Sequence, residues 1–300
     1  MRLALPIAAL ATIPVLAACG QHSASSDAPA DAGAVTTTAP SAASSAPSDD
    51  QALISQAEDD YRRWVQKQAD LLVARTTAFV HVYDHGEDDR ARALYPFART
   101  PWESIEPVAE SFGDLDPKTD AREADLTDGQ KWTGWHRIEK DLWPVRDPSY
   151  TPLTREQREG YGDDLVTNVT TIRDGIRSLT FTTDQIANGS SGLMEEVATS
   201  KVTGEEEFWS HTDLWDFAAN VKGAEVGFVD VKPILVTRDP ALARQLTRRF
   251  AEIDRLLAEQ RQGRGYVLYT DLSQAEVKRL SDAVNALAEP LSHLTAAVLP

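Results

Sequence analysis

The run Gly134-Trp135-His136-Arg137-Ile138-Glu139 carries the sharpest chemical signal in this chain. Residues three apart share a helix face, so His136 and Glu139 point the same way on a helix. An imidazole and a carboxylate so placed can share a metal ion, as Glu-x-x-His pairs do in helical di-metal proteins. They can equally satisfy each other, a buried His136 donating to Glu139 with no ion present. Trp132 and Trp143 fall on the same stripe of a helix predicted over residues 128–143, so the pair is expected to be buried. A buried ionisable pair among tryptophans is costly unless its members satisfy one another or hold an ion.

Other acids could join this pair. Glu103 and Glu106 form a second i, i+3 pair in Trp102-Glu103-Ser104-Ile105-Glu106-Pro107, and Glu110 continues their face. Asp120, Glu123 and Asp125 surround Arg122. In Ser210-His211-Thr212-Asp213-Leu214-Trp215-Asp216, the spacing of Ser210 and Asp213 resembles a capping box that opens a helix. Asp213, Asp216 and Asn220 then share one polar face in an aromatic stretch and could line a cleft. Hard carboxylate oxygens with an imidazole suit iron, manganese or zinc better than copper(I).

Composition narrows the function classes. The 300 residues carry a formal net charge of −17, which argues against nucleic acid, whose binding needs a basic footprint, and favours cations. Cys19 is the only cysteine, so the chain beyond it has no internal disulfide and no thiolate site for metal or redox chemistry. H-E-x-x-H and G-x-S-x-G are absent, which removes the usual zinc-protease and hydrolase signatures. Gly263-Arg264-Gly265 lacks the rest of a dinucleotide fingerprint.

The elements that must position these side chains are mostly helices. Apolar residues from Leu53 to Val82 approximate a helical period, and Asp49 or Asp50 can cap that segment. A short helix is predicted over 87–98 and another over 101–111, with Pro101 at its start. Further helices are predicted over 154–179, 184–201, 212–236, 240–260 and 273–298. Strand alternation is confined to 265–269. This pattern suits one or two helical bundles with antiparallel neighbours.

The N-terminus reads differently. Arg2, an apolar run from Leu3 to Leu16 and small residues before Cys19 make a secretory signal over residues 1–18. The run is too short to span a bilayer, which takes about 20 apolar residues. Leu16-Ala17-Ala18-Cys19 resembles a bacterial lipobox, which implies cleavage before Cys19, lipidation there, and an extracytoplasmic chain tethered to the cell membrane. Residues 19–50 are almost entirely Ala, Ser, Thr, Pro, Asp and Gly, too polar to offset ordering entropy, and are expected to be a disordered spacer. All seven Trp, seven Tyr and eight Phe lie beyond it, which leaves residues 51–300 as the folded domain.

Taken together, these runs resemble the EfeO/EfeM family of imelysin-like proteins of the Efe iron-uptake system. The matching runs are Tyr95-Pro96, Trp102 to Pro107, Phe112-Gly113-Asp114-Leu115-Asp116, Asp120-Ala121-Arg122-Glu123 and Thr133 to Lys140. Leu193 to Lys201 and Ser210 to Phe217 complete the set, so the resemblance covers essentially all of residues 51–300. It implies an all-α, two-lobed helical bundle with the His-x-x-Glu motif facing a cleft. It also implies binding of ferrous or ferric iron, with zinc or manganese as alternatives, and delivery to an Efe permease with a peroxidase partner. His136 and Glu139 would be direct ligands, with Glu103 and Glu106 as further carboxylates. Asp120, Glu123 or acids from Glu195 to Asp216, with Glu196, Asp213 and Asp216 singled out beside His211, would complete the site from across the cleft, and Arg122 or Arg137 would orient carboxylates. Longer EfeO proteins carry a copper-binding cupredoxin domain, for which this chain has no room, so no copper site is expected. The family is also grouped with metallopeptidases. One His and one Glu fall short of the three protein ligands of a catalytic zinc, and a separate general base is required, so no enzyme activity is expected.

Overall fold

In the computed structural model, residues 49–144, 147–199 and 201–299 are described. The signal segment, Cys19 and nearly all of the spacer lie outside the described residues.

Helix α1 (Asp49–Asp84) buries Ala57, Tyr61, Val65, Ala69, Leu72, Thr76, Phe79 and Tyr83. Steps of three and four keep these side chains on one stripe. Asp49 and Asp50 occupy its first turn, where negative charge complements the helix dipole. The helix therefore begins inside the stretch assigned to the spacer. α2 (Asp88–Ser104) packs along α1 and continues through Pro96 and Pro101. The predicted break at Pro101 does not occur. Pro101 cannot donate to the carbonyl of Phe97, and that oxygen instead accepts from Arg75 Nη1 at 3.0 Å and from Thr100 Oγ1 at 3.1 Å. Pro107 instead sits in the first turn of α3 (Glu106–Ala109).

Two short helices follow, α4 (Leu115–Asp120) and α5 (Trp135–Leu142). The predicted helix over 128–143 is thus shorter by a loop, and Trp132 is off its stripe. α6 (Arg155–Ile176) opens on a capping box made by Thr154 and Gln157 and packs on α1. α7 (Thr183–Thr199), α8 (Asp213–Arg238), α9 (Pro240–Glu259) and α10 (Gln274–Leu291) make a second group, closed by α11 (Leu294–Val298). Asp239 caps α9 through the amides of Ala241 and Leu242, and Ser273 and Glu276 form the capping box of α10. The strand signal proves to be a two-residue hairpin, β1 (Arg261–Gln262) against β2 (Gly265–Tyr266).

The bundle is all-helical as expected. The α1/α2/α6 group and the α7–α11 group share one continuous core, joined where α8 lies against α1 and α2. Among the described residues, no helix is long and apolar enough to cross a membrane.

Candidate metal centre

His136 lies in the first turn of α5, and its placement begins with Gly134. That residue has φ +86°, and a Cβ there would stand 2.1 Å from the Thr119 carbonyl oxygen. Only glycine accepts both the left-handed backbone and the contact. The loop is fastened on either side. Thr133 Oγ1 donates to the Lys118 carbonyl at 2.7 Å and Trp132 Nε1 to the Ala121 carbonyl at 2.7 Å. The end of α4 is thereby clamped to the start of α5, and Asp120 is set beside His136.

The imidazole, 2% exposed, has two distinct sides. Nδ1 lies 3.2 Å from Glu139 Oε2. The other oxygen of Glu139 accepts from the amides of Trp209 at 2.9 Å and Ser210 at 2.6 Å. Glu139 thus holds the ring on its Nδ1 side with one oxygen and two backbone amides with the other. Nε2 has no hydrogen-bond partner. It faces Asp120 Oδ1 at 3.4 Å and Glu206 Oε1 at 3.5 Å, too far for good hydrogen bonds. Ligands about 2.1 Å from one ion stand roughly 3.0–3.4 Å apart, so this side has the spacing of an ion-binding triad. Glu139 and Glu207 make a second such grouping with His136, but Glu139 is already committed there.

Buried cations hold the surrounding acids in place. Arg99, fully buried, forms ion pairs with Glu103, Asp120, Glu206, Glu207 and Asp216. Lys201, also fully buried, pairs with Glu103, with Glu106 at 2.8 Å and with Glu196 at 3.1 Å. Asn220 Nδ2 donates to the Glu103 carbonyl at 2.8 Å and to Glu106 Oε2 at 3.1 Å. Burial and the Arg99 charge work against a proton on His136, yet Glu139, Glu206 and Asp120 outweigh them and raise its pKa to about 10. Burial also opposes the Glu206 charge, but Lys201 and His136 hold that carboxyl well below its usual range. Burial pushes Glu207 and Asp216 well above theirs. The surrounding carboxylates thus favour the charged imidazole, with Nδ1 towards Glu139 and Nε2 towards Asp120 and Glu206.

A cavity of about 580 Å³ opens onto the centre, lined by His136, Glu139, Glu206, Arg122, Phe208 and Trp209 among others. A smaller one of about 260 Å³ reaches Asp120 and Glu206 from the side of Asp116 and Glu196. Arg122 borders both, pairing with Asp125 at 2.7 Å and reaching Glu206 at 3.5 Å.

The sequence-derived candidates separate accordingly. His136, Glu139 and Asp120 come together. Glu103 and Glu106, expected as ligands, face Lys201, and Glu103 also faces Arg99, so neither is aimed at the imidazole. Glu196 sits with Lys201, and Glu123 pairs with Lys140 at 2.7 Å on the rim. His211, at φ +59°, shapes the turn before α8, its amide donating to the Glu207 carbonyl. Asp213 does not cap α8 from within a capping box. Its Oδ1 accepts from the Glu207 amide at 3.0 Å, which holds the Glu206–Glu207 turn in position. Asp216 lies buried 3.5 Å from Arg99.

Arg99 and Lys201 escape the motif reading as site residues, and Glu206 and Glu207 fall within the Glu195–Asp216 acids without being singled out. Arg99 was discoverable, since it interrupts the stripe Ala91-Tyr95-Ala98-Trp102 that α2 buries.

Comparison with known proteins supplies the family. The imelysin family, peptidase family M75, matches residues 57–294. The chain belongs to the EfeM/EfeO imelysin family. An Efem/EfeO family lipoprotein of Staphylococcus haemolyticus is 36% identical over 293 residues, covering 97% of both chains. One from Staphylococcus aureus strain MRSA252 is 38% identical over 248 residues, 81% of this chain and 85% of the relative. These EfeM/EfeO relatives are named as lipoproteins and not as enzymes.

Proposed function

We propose that this EfeM/EfeO protein is an extracytoplasmic, lipid-anchored metal carrier of an iron-uptake system. In this reading His136 Nε2, Asp120 and Glu206 hold the ion, and Glu139 fixes the ring through Nδ1. The observation that carries it is the buried Nε2, which lacks a hydrogen-bond partner and faces two carboxylates at ligand-like separations. A neutral imidazole is an intermediate donor and the carboxylates are hard, a set that suits ferrous or ferric iron, with zinc and manganese as competitors. Two cavities that meet at Glu206, one lined by His136 and the other by Asp120, favour loading and release over a closed structural cage. Cys19 is the proposed lipid anchor, and an Efe permease with its peroxidase is the proposed recipient system.

A peptidase is disfavoured by the state of Glu139. A general base must be free to take a proton from water, whereas this carboxylate already accepts two backbone amides and faces the imidazole.

The test is titration of the chain with ferrous, ferric, zinc and manganese ions, alongside His136→Ala, Glu206→Gln and Glu139→Gln. Saturable binding lost in the first two variants and weakened in the third supports the carrier. Binding indifferent to His136→Ala and Glu206→Gln in folded protein overturns the site.

A further inference from the structure

A groove of about 360 Å³ between α8 and α9 is lined by Lys232, Val236, Pro240, Ala243, Arg244 and Arg248. Arg244 and Arg248 are exposed, one helical turn apart on α9. Lys232 lies over the Phe228 ring at 5.5 Å. None of the three cations forms an ion pair among the described residues, whereas most of this protein's described arginines and lysines do. Of the acids near Arg244 and Arg248 in sequence, Asp239 caps α9 and Glu252 pairs with Arg249 at 3.2 Å; Asp230, two residues before Lys232, does not pair with it. Val236 and Val229, exposed by 47% and 51%, add an apolar edge on α8. In a chain of net charge −17, such a concentration of uncompensated cations beside exposed valines is not explained by solubility.

The position of the groove identifies what it meets. Asp50, in the first turn of α1, pairs with Arg238 at the end of α8 at 2.6 Å. The chain that leads back to Cys19 therefore enters the folded domain beside this groove. On the anchor reading, the tether joins the folded domain at this end.

We infer that the Lys232/Arg244/Arg248 groove is a membrane-docking surface for anionic phospholipid headgroups, with Val236 and Val229 resting at the interface. The inference rests on the anchor reading for its orientation, and on the groove alone for its chemistry. It fixes a geometry. Asp216, beside Arg99, and Val236 are twenty residues apart on one helix, a distance of about 30 Å at 1.5 Å per residue. The docked protein thus holds its metal centre about 30 Å from the lipid-facing end and open to the extracytoplasmic space. A basic residue near an anionic bilayer contributes roughly fivefold in affinity, so three together contribute about a hundredfold.

The experiment uses the full chain with Cys19→Ser, which removes lipidation, and vesicles of phosphatidylcholine with or without phosphatidylglycerol at roughly a third of the lipid, enough to give the bilayer a negative surface potential. Binding that requires phosphatidylglycerol, weakens with salt and falls at least about thirtyfold in Arg244→Glu/Arg248→Glu supports the surface. Both side chains are exposed, and circular dichroism verifies that the double variant is folded. A fluorophore on Val236→Cys should shift to the blue on the same vesicles. Equal binding to both vesicle types, or no response to charge reversal, overturns the proposal. Equal retention on polyglutamate overturns it in favour of an acidic protein partner. Membrane fractionation of the unaltered chain against Cys19→Ala tests the anchor separately, so an anchored chain with an inert groove removes this proposal alone.

Discussion

The proton on His136 makes a quantitative demand on the metal-free protein. Its pKa stands at about 10 in the fold against an ordinary 6.5. A basic group raised in this way stabilises the fold fully below pH 6.5, and that contribution is lost as pH climbs towards 10. Every tenfold gain in proton affinity on folding is worth about 1.4 kcal/mol. Because the unfolded imidazole is already half titrated at pH 6.5, the loss between pH 6.5 and 8.5 comes to roughly 2 kcal/mol. Glu207 and Asp216, raised by burial, act in the same direction. Urea unfolding with chelator present, at half-unit steps of pH, reads this directly. Stability should fall across the window, and His136→Gln should make the slope shallower by up to about 1.4 kcal/mol per pH unit. A flat or rising curve in the unaltered protein would refute the charged imidazole and the reading of Asp120 and Glu206 as its counter-ions. The same proton must leave when an ion binds at Nε2, so metal affinity should rise up to about tenfold per pH unit over that range.

Three further outcomes follow from the geometry. Gly134→Ala should cost at least about 2 kcal/mol, since it combines a left-handed backbone with a blocked contact, and should weaken metal binding by separating Asp120 from His136; chemical denaturation and titration on one preparation check both. Lys201→Met leaves Glu106 buried without a cation and Glu103 with Arg99 alone, a loss of about 3–5 kcal/mol, visible as a melting point lower by about 10 °C. Glu206→Gln should weaken metal binding at least tenfold, whereas Glu106→Gln should leave it within threefold; calorimetric titration of the two variants decides whether the Lys201 cluster is a scaffold or a ligand set.

Long periodic helices and the His136–Glu139 spacing were legible because both are local. The stripe of α1 and the capping boxes at Thr154 and Ser273 are written in consecutive residues. Asp120 was within reach as a nearby acid, but its partnership with Nε2 depends on the clamp between Gly134 and Thr119, which no spacing rule contains. The same clamp explains the misplaced start of α5: Trp132 and Thr133 carry ordinary helix-compatible side chains, and their bonds to the Ala121 and Lys118 carbonyls hold them in a loop. Glu206 was harder still, because it sits in a turn and meets His136 across 70 residues of sequence. Glu103 and Glu106 show the opposite error. Their periodic spacing looks like a ligand pair, and only the fold brings Lys201 to neutralise them. At Pro101 the usual breaker rule fails because Arg75, on another helix, supplies the donor that proline lacks.

The ligand-like triad draws one residue each from the end of α4, from α5 and from the turn before α8, segments that meet only in the folded chain. An ion bound there adds its binding free energy to folding, about 2.7 kcal/mol at a hundred times its dissociation constant. Loaded and empty molecules would then differ in durability as well as in cargo. The Glu205–Trp209 turn carries Glu206 and the exposed Phe208, and limited proteolysis with and without ion would show whether its protection changes. On the carrier reading, envelope proteases would sort carriers by what they carry, and metal scarcity would shorten their lifetime.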